Sequence, residues 1–300
     1  MMVEFKESND PIYYVTRAYA ALADSKPLCA WIYGVDKYQI AAHNFNKAAI
    51  LYKRQQLFRS SADTRLKEAR MLLLTISDTK FKQSNIMDAY VDAGQSYVRI
   101  HLYKKAISAY KLAMEYCKSN ISMCFELQGH IANLYEIECN YEQAILAYEH
   151  QIEYFGNYLP IQLNPLKKIA EIHVLTNAYD RAIAIYEHLA QTAEQQKQYI
   201  HHVNNYLLLA GMCYMVSKNY VGYQNAIAMY QQSQHPFVLA FTISKEYGLL
   251  HGISNLLNPN NVDTIDEKLS MYDKLCYINA NIIKSNDMLN TLFEKLKSII

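Results

Sequence analysis

The residues that most readily suggest chemistry are two adjacent histidines, His201 and His202. Imidazole is a common zinc ligand, but neighbouring residues on a helix point in different directions, so this pair has poor geometry for holding one ion. His173 stands where two similar segments of the chain carry Tyr, and it is interpreted as a packed core histidine. The sequence therefore predicts no metal site.

Motifs that carry catalysis are also missing from the sequence. It contains no HExxH, no phosphate-binding P-loop, no GxSxG nucleophile and no Rossmann glycine run. Three acidic residues, Glu136, Glu138 and Glu142, lie near a predicted turn, but no base or nucleophile accompanies them. We therefore expect a protein that is not an enzyme, with no cofactor and no small-molecule substrate.

The 6 cysteines form no CxxC pair, and most of them lie on apolar helical faces. That pattern is typical of buried free thiols in a reducing compartment. The N-terminal stretch MMVEFKESND is too polar for a secretion signal. No stretch reaches the roughly 20 apolar residues of a membrane span. These features predict a cytoplasmic protein.

An apolar turn lies between Pro27 and Gly34, and it holds the single Trp of the chain. Two interpretations are open. The turn packs back on the first two helices, or it contacts a membrane, because Trp and Tyr settle at bilayer interfaces. The candidate membrane-contact residues are Leu28, Trp31, Ile32 and Tyr33.

A basic stripe follows in the next two predicted helices, which span about 37–58 and 62–74. It is either a solvated face with some ion pairing to Asp63 and Glu68, or a docking surface for an acidic partner or an acidic lipid. The net charge of the chain is only +1, so bulk charge implies no nucleic-acid partner. The stripe consists of Lys53, Arg54, Arg59, Arg65, Lys67 and Arg70.

A helical repeat must position these groups. The segment YKKAISAY at 103–110 recurs as YEQAILAY at 141–148 and as YDRAIAIY at 179–186, a period of 38 residues each time. A looser copy follows at about 210–230, and a degenerate one precedes it at about 48–52. Repeats of this length, with paired amphipathic helices, are typical of tetratricopeptide-type hairpin arrays.

Small residues in each copy allow two antiparallel helices to approach closely. Gly94 and Ala106 are expected at such a contact, with large side chains filling the space beside them. The tyrosines expected to be buried between helical layers are Tyr97, Tyr110, Tyr135, Tyr148 and Tyr186.

The composition agrees with long helices, since 51% of the 300 residues are hydrophobic and only 8 are Gly and 6 Pro. After 235 the period is lost, and three more helices are predicted at 237–257, 264–277 and 279–298. We predict an all-α fold of about fourteen helices in one continuous domain. It comprises a tetratricopeptide-like helical-hairpin array in a right-handed superhelix over 1–235, closed by a C-terminal helical bundle over 236–300.

Several segments resemble the soluble NSF attachment proteins, the SNAP adaptors of SNARE disassembly. AYVDAGQSY at 89–97 is similar to that family's YVDAGNAF type of segment, and KKAISAYKLAMEY at 104–116 resembles its EAIxxLxxAIEIY helix. HIANLYE at 130–136 and the long segment at 166–190 also find counterparts. So do NYLLLAGMCY and NVDTIDEKLSMYD, which lie late in the chain, so the order of the segments is kept as well.

The resemblance implies a partner and the residues that bind it. The family grips the SNARE four-helix bundle with basic residues of a concave face, touches the membrane through an apolar N-terminal loop and recruits the ATPase NSF through acidic C-terminal residues. On this sequence it places the groove at Arg99, Lys167 and Lys168 and the loop at 28–33. It implies a SNARE complex with syntaxin-like helices as partner, and peripheral attachment to membranes.

The sequence also departs from the family. Asn120 and Glu126 stand where family members have basic residues. The segment 256–260 is neutral where the family is acidic, and Ile299 and Ile300 stand in place of its acidic tail. These departures predict weak recruitment of NSF, so that the protein occupies SNAREs and blocks disassembly instead of supporting it.

The resulting prediction is a SNAP-like adaptor in vesicle fusion and SNARE recycling, cytoplasmic and peripheral on membranes. The alternative is a generic tetratricopeptide-like scaffold whose groove binds another helix or peptide. The retained basic residues and the apolar turn favour the adaptor. Few Gly with many Ile, Asn, Lys and Tyr indicate an AT-rich genome, which fits a pathogen's mimic acting in host cytosol.

Overall fold

Helices make up nearly all the regular structure in the computed structural model of this protein. The model describes residues 8–23, 36–75, 80–117, 120–154, 159–195, 197–234, 236–258, 264–284 and 286–300. Sixteen α-helices and one 3₁₀ helix lie within these ranges, which hold no β-strand. The prediction of an all-α hairpin array is confirmed, with more helices than expected.

The helices group into two compact units, residues 1–154 and 155–300. The predicted boundary at 235, drawn where the repeat period ends, stays a prediction. The first unit comprises α1 (Pro11–Ala23), α2 (Lys37–Arg54), α3 (Phe58–Leu74), α4 (Lys80–Arg99), α5 (Tyr103–Tyr116), α6 (Ile121–Ile137) and α7 (Tyr141–Glu153).

The second unit holds nine α-helices and the 3₁₀ helix in its described residues. Its helices are α8 (Leu159–Leu175), α9 (Tyr179–Gln195), the 3₁₀ helix (Lys197–His202), α10 (Val203–Val216), α11 (Tyr220–Gln231), α12 (Pro236–Phe241), α13 (Lys245–Leu256), α14 (Ile265–Ile278), α15 (Ala280–Lys284) and α16 (Asp287–Lys297).

Five hairpin turns share one backbone geometry. In each, a residue with φ of 56–61° follows the first helix, and the next N–H donates to the carbonyl oxygen five residues back at 2.8–3.0 Å. This is the Schellman ending of a helix. The acceptor carbonyls belong to the recurring aromatic position: Tyr52, Tyr97, Tyr135, His173 and Tyr214. The left-handed residues are Gln56, His101, Cys139, Asn177 and Lys218.

The shared turn shows that the degenerate copy is a true hairpin. Its acceptor, Tyr52, lies in α2, and α3 packs against α2 as α5 packs against α4. The predicted helix at about 37–58 therefore ends at Arg54, because the chain turns there to begin α3. Asp36 caps α2 as its sequence indicates, since its side chain accepts the N–H of Tyr38 at 3.0 Å.

Gly94 allows the close contact between α4 and α5. A Cβ placed there would lie 2.5 Å from Cε1 of Tyr110, so any larger residue has to displace that ring. Of the five tyrosines expected in the core, Tyr135 alone is half-buried. Its hydroxyl extends to the exposed Lys111, whose Nζ donates to it at 3.0 Å.

α10 is the centre of the second unit. Eleven of its 14 residues are buried, and it packs against α9, α11, α12, α13 and α16. One apolar core joins Leu163 in α8 to Leu296 in α16 through this helix. A Cβ at Gly211 would collide with the side chain of Leu250 in α13, so a larger residue at this crossing has to displace that side chain.

The C-terminal region has five helices where three were predicted. The predicted helix 237–257 breaks before Ser244, whose Oγ accepts the N–H of Tyr247 at 3.1 Å and so starts α13. The predicted helix 279–298 restarts at Asn286, whose side chain accepts the N–H of Met288 at 2.9 Å. Thr264 forms a capping box with Glu267 at the start of α14, in agreement with the sequence.

The cysteines differ from expectation. Cys117 and Cys124 are joined as a disulfide between the end of α5 and the start of α6, so the prediction of free thiols is wrong for this pair. Among the free ones, Cys213 is buried and Cys276 half-buried. Cys139 is exposed, because it occupies the tip of the α6–α7 turn.

Candidate partner-binding surfaces

Lys167 and Lys168 lie side by side on α8, as the sequence places them. Their side chains are 36% and 38% exposed. Both pair with Glu171 one turn along the helix, at 3.6 Å from Lys167 and 3.1 Å from Lys168. Sequence reasoning missed Glu171, although its spacing of three and four residues from the lysines predicts this pairing.

The 3₁₀ helix brings the two adjacent histidines into ring contact. The ring centroids of His201 and His202 are 4.0 Å apart. His202 also contacts the rings of Tyr199 at 6.3 Å and Tyr206 at 5.9 Å. Burial lowers the pKa of His202, and the positive charges of His201 and Lys167 lower it further.

The α8 lysines and this ring cluster lie in the same region of the second unit, because α8 and the 3₁₀ helix both pack against α9. Lys167 acts electrostatically on His202, and Glu171 acts on Tyr206, whose pKa rises to about 12, chiefly through burial. Within the described part of the chain, no group of three or more His, Cys, Asp or Glu side chains is placed to hold a metal ion.

Arg99 is exposed in the last turn of α4, in the first unit. A cation at this end of a helix also complements the helix dipole, so its position has a structural use as well. Nearby Tyr97 donates to Asp63 at 2.6 Å, and the ammonium of Lys105 lies 5.5 Å from the centre of the Tyr97 ring. Arg99 pairs with no acidic group among the described residues.

The basic stripe of α2 and α3 divides into an inward and an outward part. Arg65 points inward, where its guanidinium contacts Glu68 and Asp92, each at 2.7 Å. Asn46 donates to the second oxygen of Glu68 at 2.8 Å, and Lys53 reaches Asp92 at 3.4 Å. The exposed members without an ion pair among the described residues are Arg54, Arg59, Lys67 and Arg70.

Arg65 is therefore a structural residue that joins α3 to α4, and its two acidic partners extend the network to Asn46 and Lys53 in α2. Burial raises the pKa of Glu68, and the Arg65 charge opposes that rise. The interpretation of the stripe as a face with some ion pairing holds for Arg65 and Lys53. Its use as a docking surface stays a hypothesis for the outward arginines.

The predicted membrane-contact residues Leu28, Trp31, Ile32 and Tyr33 lie outside the described residues. The choice between a folded-back turn and a membrane-contacting one stays open. None of the described helices combines the length and hydropathy that a membrane crossing requires.

Two departures from the SNAP pattern have structural uses. Asn120 caps α6, because its side chain accepts the N–H of Met123 at 3.1 Å. Leu256 is buried in the core of the second unit. An acidic residue at the Leu256 position would place a carboxylate in that core, which costs stability unless it is paired.

Lys295 in α16 fastens α8 from its C-terminal end, and sequence analysis gave no sign of this. Its ammonium donates to the carbonyl oxygen of Val174 at 2.9 Å and to Oδ1 of Asn177 at 2.5 Å. It also lies 5.5 Å from the centre of the Tyr179 ring. The helix that carries Lys167 and Lys168 is therefore held by a cation at its carbonyl end.

The repeated hairpins define a helical-hairpin repeat protein of the tetratricopeptide-like class, and its surface carries several exposed lysines and arginines. The model of one family within this architecture, the soluble NSF attachment proteins (SNAP), matches residues 10–284. The chain belongs to the SNAP family. No curated protein matches it.

Solved structures that are similar to this chain have low sequence identity to it. A signal transduction ATPase with a tetratricopeptide repeat sensor from Pyrococcus horikoshii has 12% identity and a TM-score of 0.51, over 96% of this chain and 44% of its own. Aspartyl phosphate phosphatase F from Bacillus subtilis has 14% identity and a TM-score of 0.40, over 96% of this chain and 70% of its own. At 12% identity, the similarity to the Pyrococcus horikoshii protein is one of fold alone.

Proposed function

We propose that this SNAP-family protein is an adaptor whose basic surfaces bind the helical bundle of a SNARE complex at a membrane. The observation that carries the proposal is the placement of Lys167 and Lys168 at the surface of α8, within a chain that matches the family over residues 10–284. Arg99 supplies a further exposed cation in the first unit.

The α8 lysines can readily exchange their ion-pair partner Glu171 for the carboxylates of another protein. Each is paired with Glu171, and a surface ion pair contributes only about 0–1 kcal/mol. An acidic coiled coil that brings several carboxylates can replace the single carboxylate of Glu171 at little cost. Such binding relies on long-range attraction, so it should weaken with salt and owe much of its affinity to fast association.

Charge reversal tests this binding surface. Lys167→Glu with Lys168→Glu should lower the affinity for a soluble SNARE four-helix bundle about tenfold at 0.1 M salt, chiefly through slower association. Surface plasmon resonance at several salt concentrations measures both rates. Lys245→Glu with Lys274→Glu changes the net charge equally at two other exposed lysines of the second unit and should have a smaller effect.

A complementary variant should act in the opposite direction. Glu171→Gln removes the carboxylate that screens both lysines, so binding to the SNARE bundle should strengthen. Equal affinities of wild type and both α8 variants would contradict the proposal. Binding of some other helix or peptide, with no SNARE binding, would favour the generic scaffold.

Membrane contact by the apolar turn is the second part of the proposal. Burying Leu28, Trp31 and Ile32 contributes roughly 1.5–3 kcal/mol each, less the cost of ordering the turn, which gives weak and reversible attachment. Flotation with anionic liposomes, compared between wild type and Trp31→Ser with Ile32→Ser, tests it. Equal flotation and an unshifted Trp31 fluorescence spectrum would favour the folded-back turn.

Weak coupling to NSF is the third part. The segment 256–260 is neutral where the family is acidic, and its first residue, Leu256, is buried. We therefore expect little stimulation of NSF and inhibition when this protein competes with a normal SNAP for SNAREs. A reconstituted disassembly assay measures both, and full disassembly with this protein alone would refute this part.

A further inference from the structure

The histidine pair at the end of the 3₁₀ helix has no role in the function proposed above. Its imidazoles lie 4.0 Å apart between their ring centroids. His201 is exposed, whereas His202 is half-buried between the rings of Tyr199 and Tyr206. One imidazole is therefore open to a partner, and the other is held against the protein.

The charged and titratable groups near this pair belong to α8, α9, α10 and the 3₁₀ helix itself. From α8, Lys167 acts on His202, and Glu171 acts on the neighbouring Tyr206 of α10. The last turn of α9, which packs against the 3₁₀ helix, carries the half-buried Glu194. Within the 3₁₀ helix, Tyr199 contacts the His202 ring. Lys167, which acts on His202, is one of the two lysines proposed to bind the SNARE complex.

We propose that His201 and His202 belong to the same binding surface as Lys167, and that an acidic helical partner binds there together with a proton. The identity of the partner rests on the proposed function. The proton linkage rests on the contact between the rings, on the exposure of His201 and on the packing of both the 3₁₀ helix and α8 against α9.

The sign of the effect follows from the charges. In the free protein, burial and the neighbouring positive charges hold the pKa of His202 below its usual value, so this imidazole is neutral at pH 7.5. Carboxylates of a bound partner favour the imidazolium and raise that pKa. Binding then takes up a proton, so the affinity rises as the pH falls from 7.5 to 6.

The size of the effect is limited by repulsion within the pair. Two imidazolium rings at 4.0 Å repel each other, so about one proton is taken up per binding event. One proton corresponds to at most about a tenfold gain in affinity per pH unit. Carboxylates of the partner have ordinary pKa values near 4 and stay ionised over this range.

Affinity measured against pH tests the proposal. A soluble SNARE four-helix bundle should bind about five- to tenfold more tightly at pH 6.0 than at pH 7.5, at constant ionic strength. His201→Gln with His202→Gln should abolish this gain, so that the affinities at pH 6.0 and pH 7.5 become equal, because Gln takes up no proton in this range. His251→Gln, at an exposed histidine of α13, should keep the gain.

A second measurement does not need a partner. NMR titration of the histidine ring protons should show that Lys167→Met raises the pKa of His202, whereas Lys245→Met leaves it unchanged. An unchanged pKa in Lys167→Met, or SNARE binding that does not depend on pH, would overturn the shared surface. SNARE binding that fails at every pH would instead refute the proposed function, and poly-L-glutamate would then serve as the acidic probe for the pH experiment.

Discussion

The two units of this protein are built from the same hairpin in different ways. In the first, each helix from α1 to α6 packs on the next helix along the chain, and the series ends at α7. In the second, five helices gather around α10, and one apolar core extends from α8 to α16. A stack of neighbours gains its stability from local interfaces, whereas a shared core is gained or lost as a whole.

The buried side chains reflect this difference. Many buried positions of the first unit are Ala, and among its large, fully buried side chains are Phe45 and Ile86. Those of the second unit include Leu207, Leu208 and Met212 on α10 itself. Polar links such as the Arg65 network add to the small-residue interfaces of the first unit, whereas apolar volume dominates the second.

The largest expected loss of stability follows from removing Arg65. Arg65→Met leaves Glu68 and Asp92 facing each other without their shared cation, and breaking a buried ion pair costs about 3–5 kcal/mol. Urea unfolding followed by circular dichroism measures the loss. Arg70→Met, on the exposed side of the same helix, should change stability by less than about 0.5 kcal/mol.

The Arg65 effect should depend on pH in one direction. The pKa of Glu68 is raised in the folded protein, so the folded state binds more protons than the unfolded state just above pH 4.5, and stability falls as the pH rises through that window. Without the charge of Arg65, the pKa of Glu68 rises further. The deficit of Arg65→Met should therefore be smaller at pH 4.5 than at pH 7.5, and an equal deficit at both would contradict this reading of the network.

Cavity mutations compare the two modes of packing directly. Leu208→Ala in α10 and Ile131→Ala in α6 should each cost about 2–5 kcal/mol, since both side chains are buried. Hydrogen exchange should separate them. Protection should fall together across α8–α16 in the first variant, but only in α5–α7 in the second. A loss of hydrogen-exchange protection confined to α10 and its neighbours along the chain would show that the second unit is also a simple stack.

A smaller loss is expected from overpacking the first unit. Gly94→Leu drives a side chain into the Tyr110 ring and should cost about 3 kcal/mol or less. Gly248→Leu on α13 is the matched control, because a Cβ there meets nothing within 4 Å. Thermal unfolding should show a lower midpoint for the first variant only, and equal midpoints would contradict the close approach of α4 and α5.

The smallest expected effect is a gain in stability. Lys218 holds a left-handed φ of 59°, which costs a residue with a side chain more than it costs Gly. Lys218→Gly should therefore stabilise the α10–α11 turn by about 0.5 kcal/mol, after the entropy gained by the unfolded chain is subtracted. A small rise in the urea midpoint is the expected result, and a fall would show that the turn is not strained.

Sequence periodicity predicted the hairpins because each repeat is a local structure. The 38-residue spacing located Tyr97, Tyr135 and His173, and these residues became the acceptors of three equivalent turns. The left-handed residues that follow them gave no signal, since none is Gly. The break before Ser244 was missed because the apolar run around it continues without Gly or Pro, although Ser is a common helix cap.

In the candidate site, sequence could predict only the contacts between residues that are close in the chain. Lys167 and Lys168 lie on one helix, and their spacing to Glu171 already implies the ion pairs. Lys295 contacts the carbonyl of Val174 across 121 residues of sequence, and no local pattern encodes such a contact. The proximity of His202 and Lys167 depends in the same way on tertiary structure, because the 3₁₀ helix and α8 both pack against α9.

The central position of α10 also has a consequence for synthesis on the ribosome. Val216, the last residue of this apolar helix, is made 80 residues before Leu296, which completes its core. At about 5–20 residues per second, α10 waits about 4–16 s for its last partner. The helices of the first unit each meet their neighbour within one or two hairpins. A nascent chain paused in that interval exposes Leu207, Leu208 and Met212 to chaperones and to other chains.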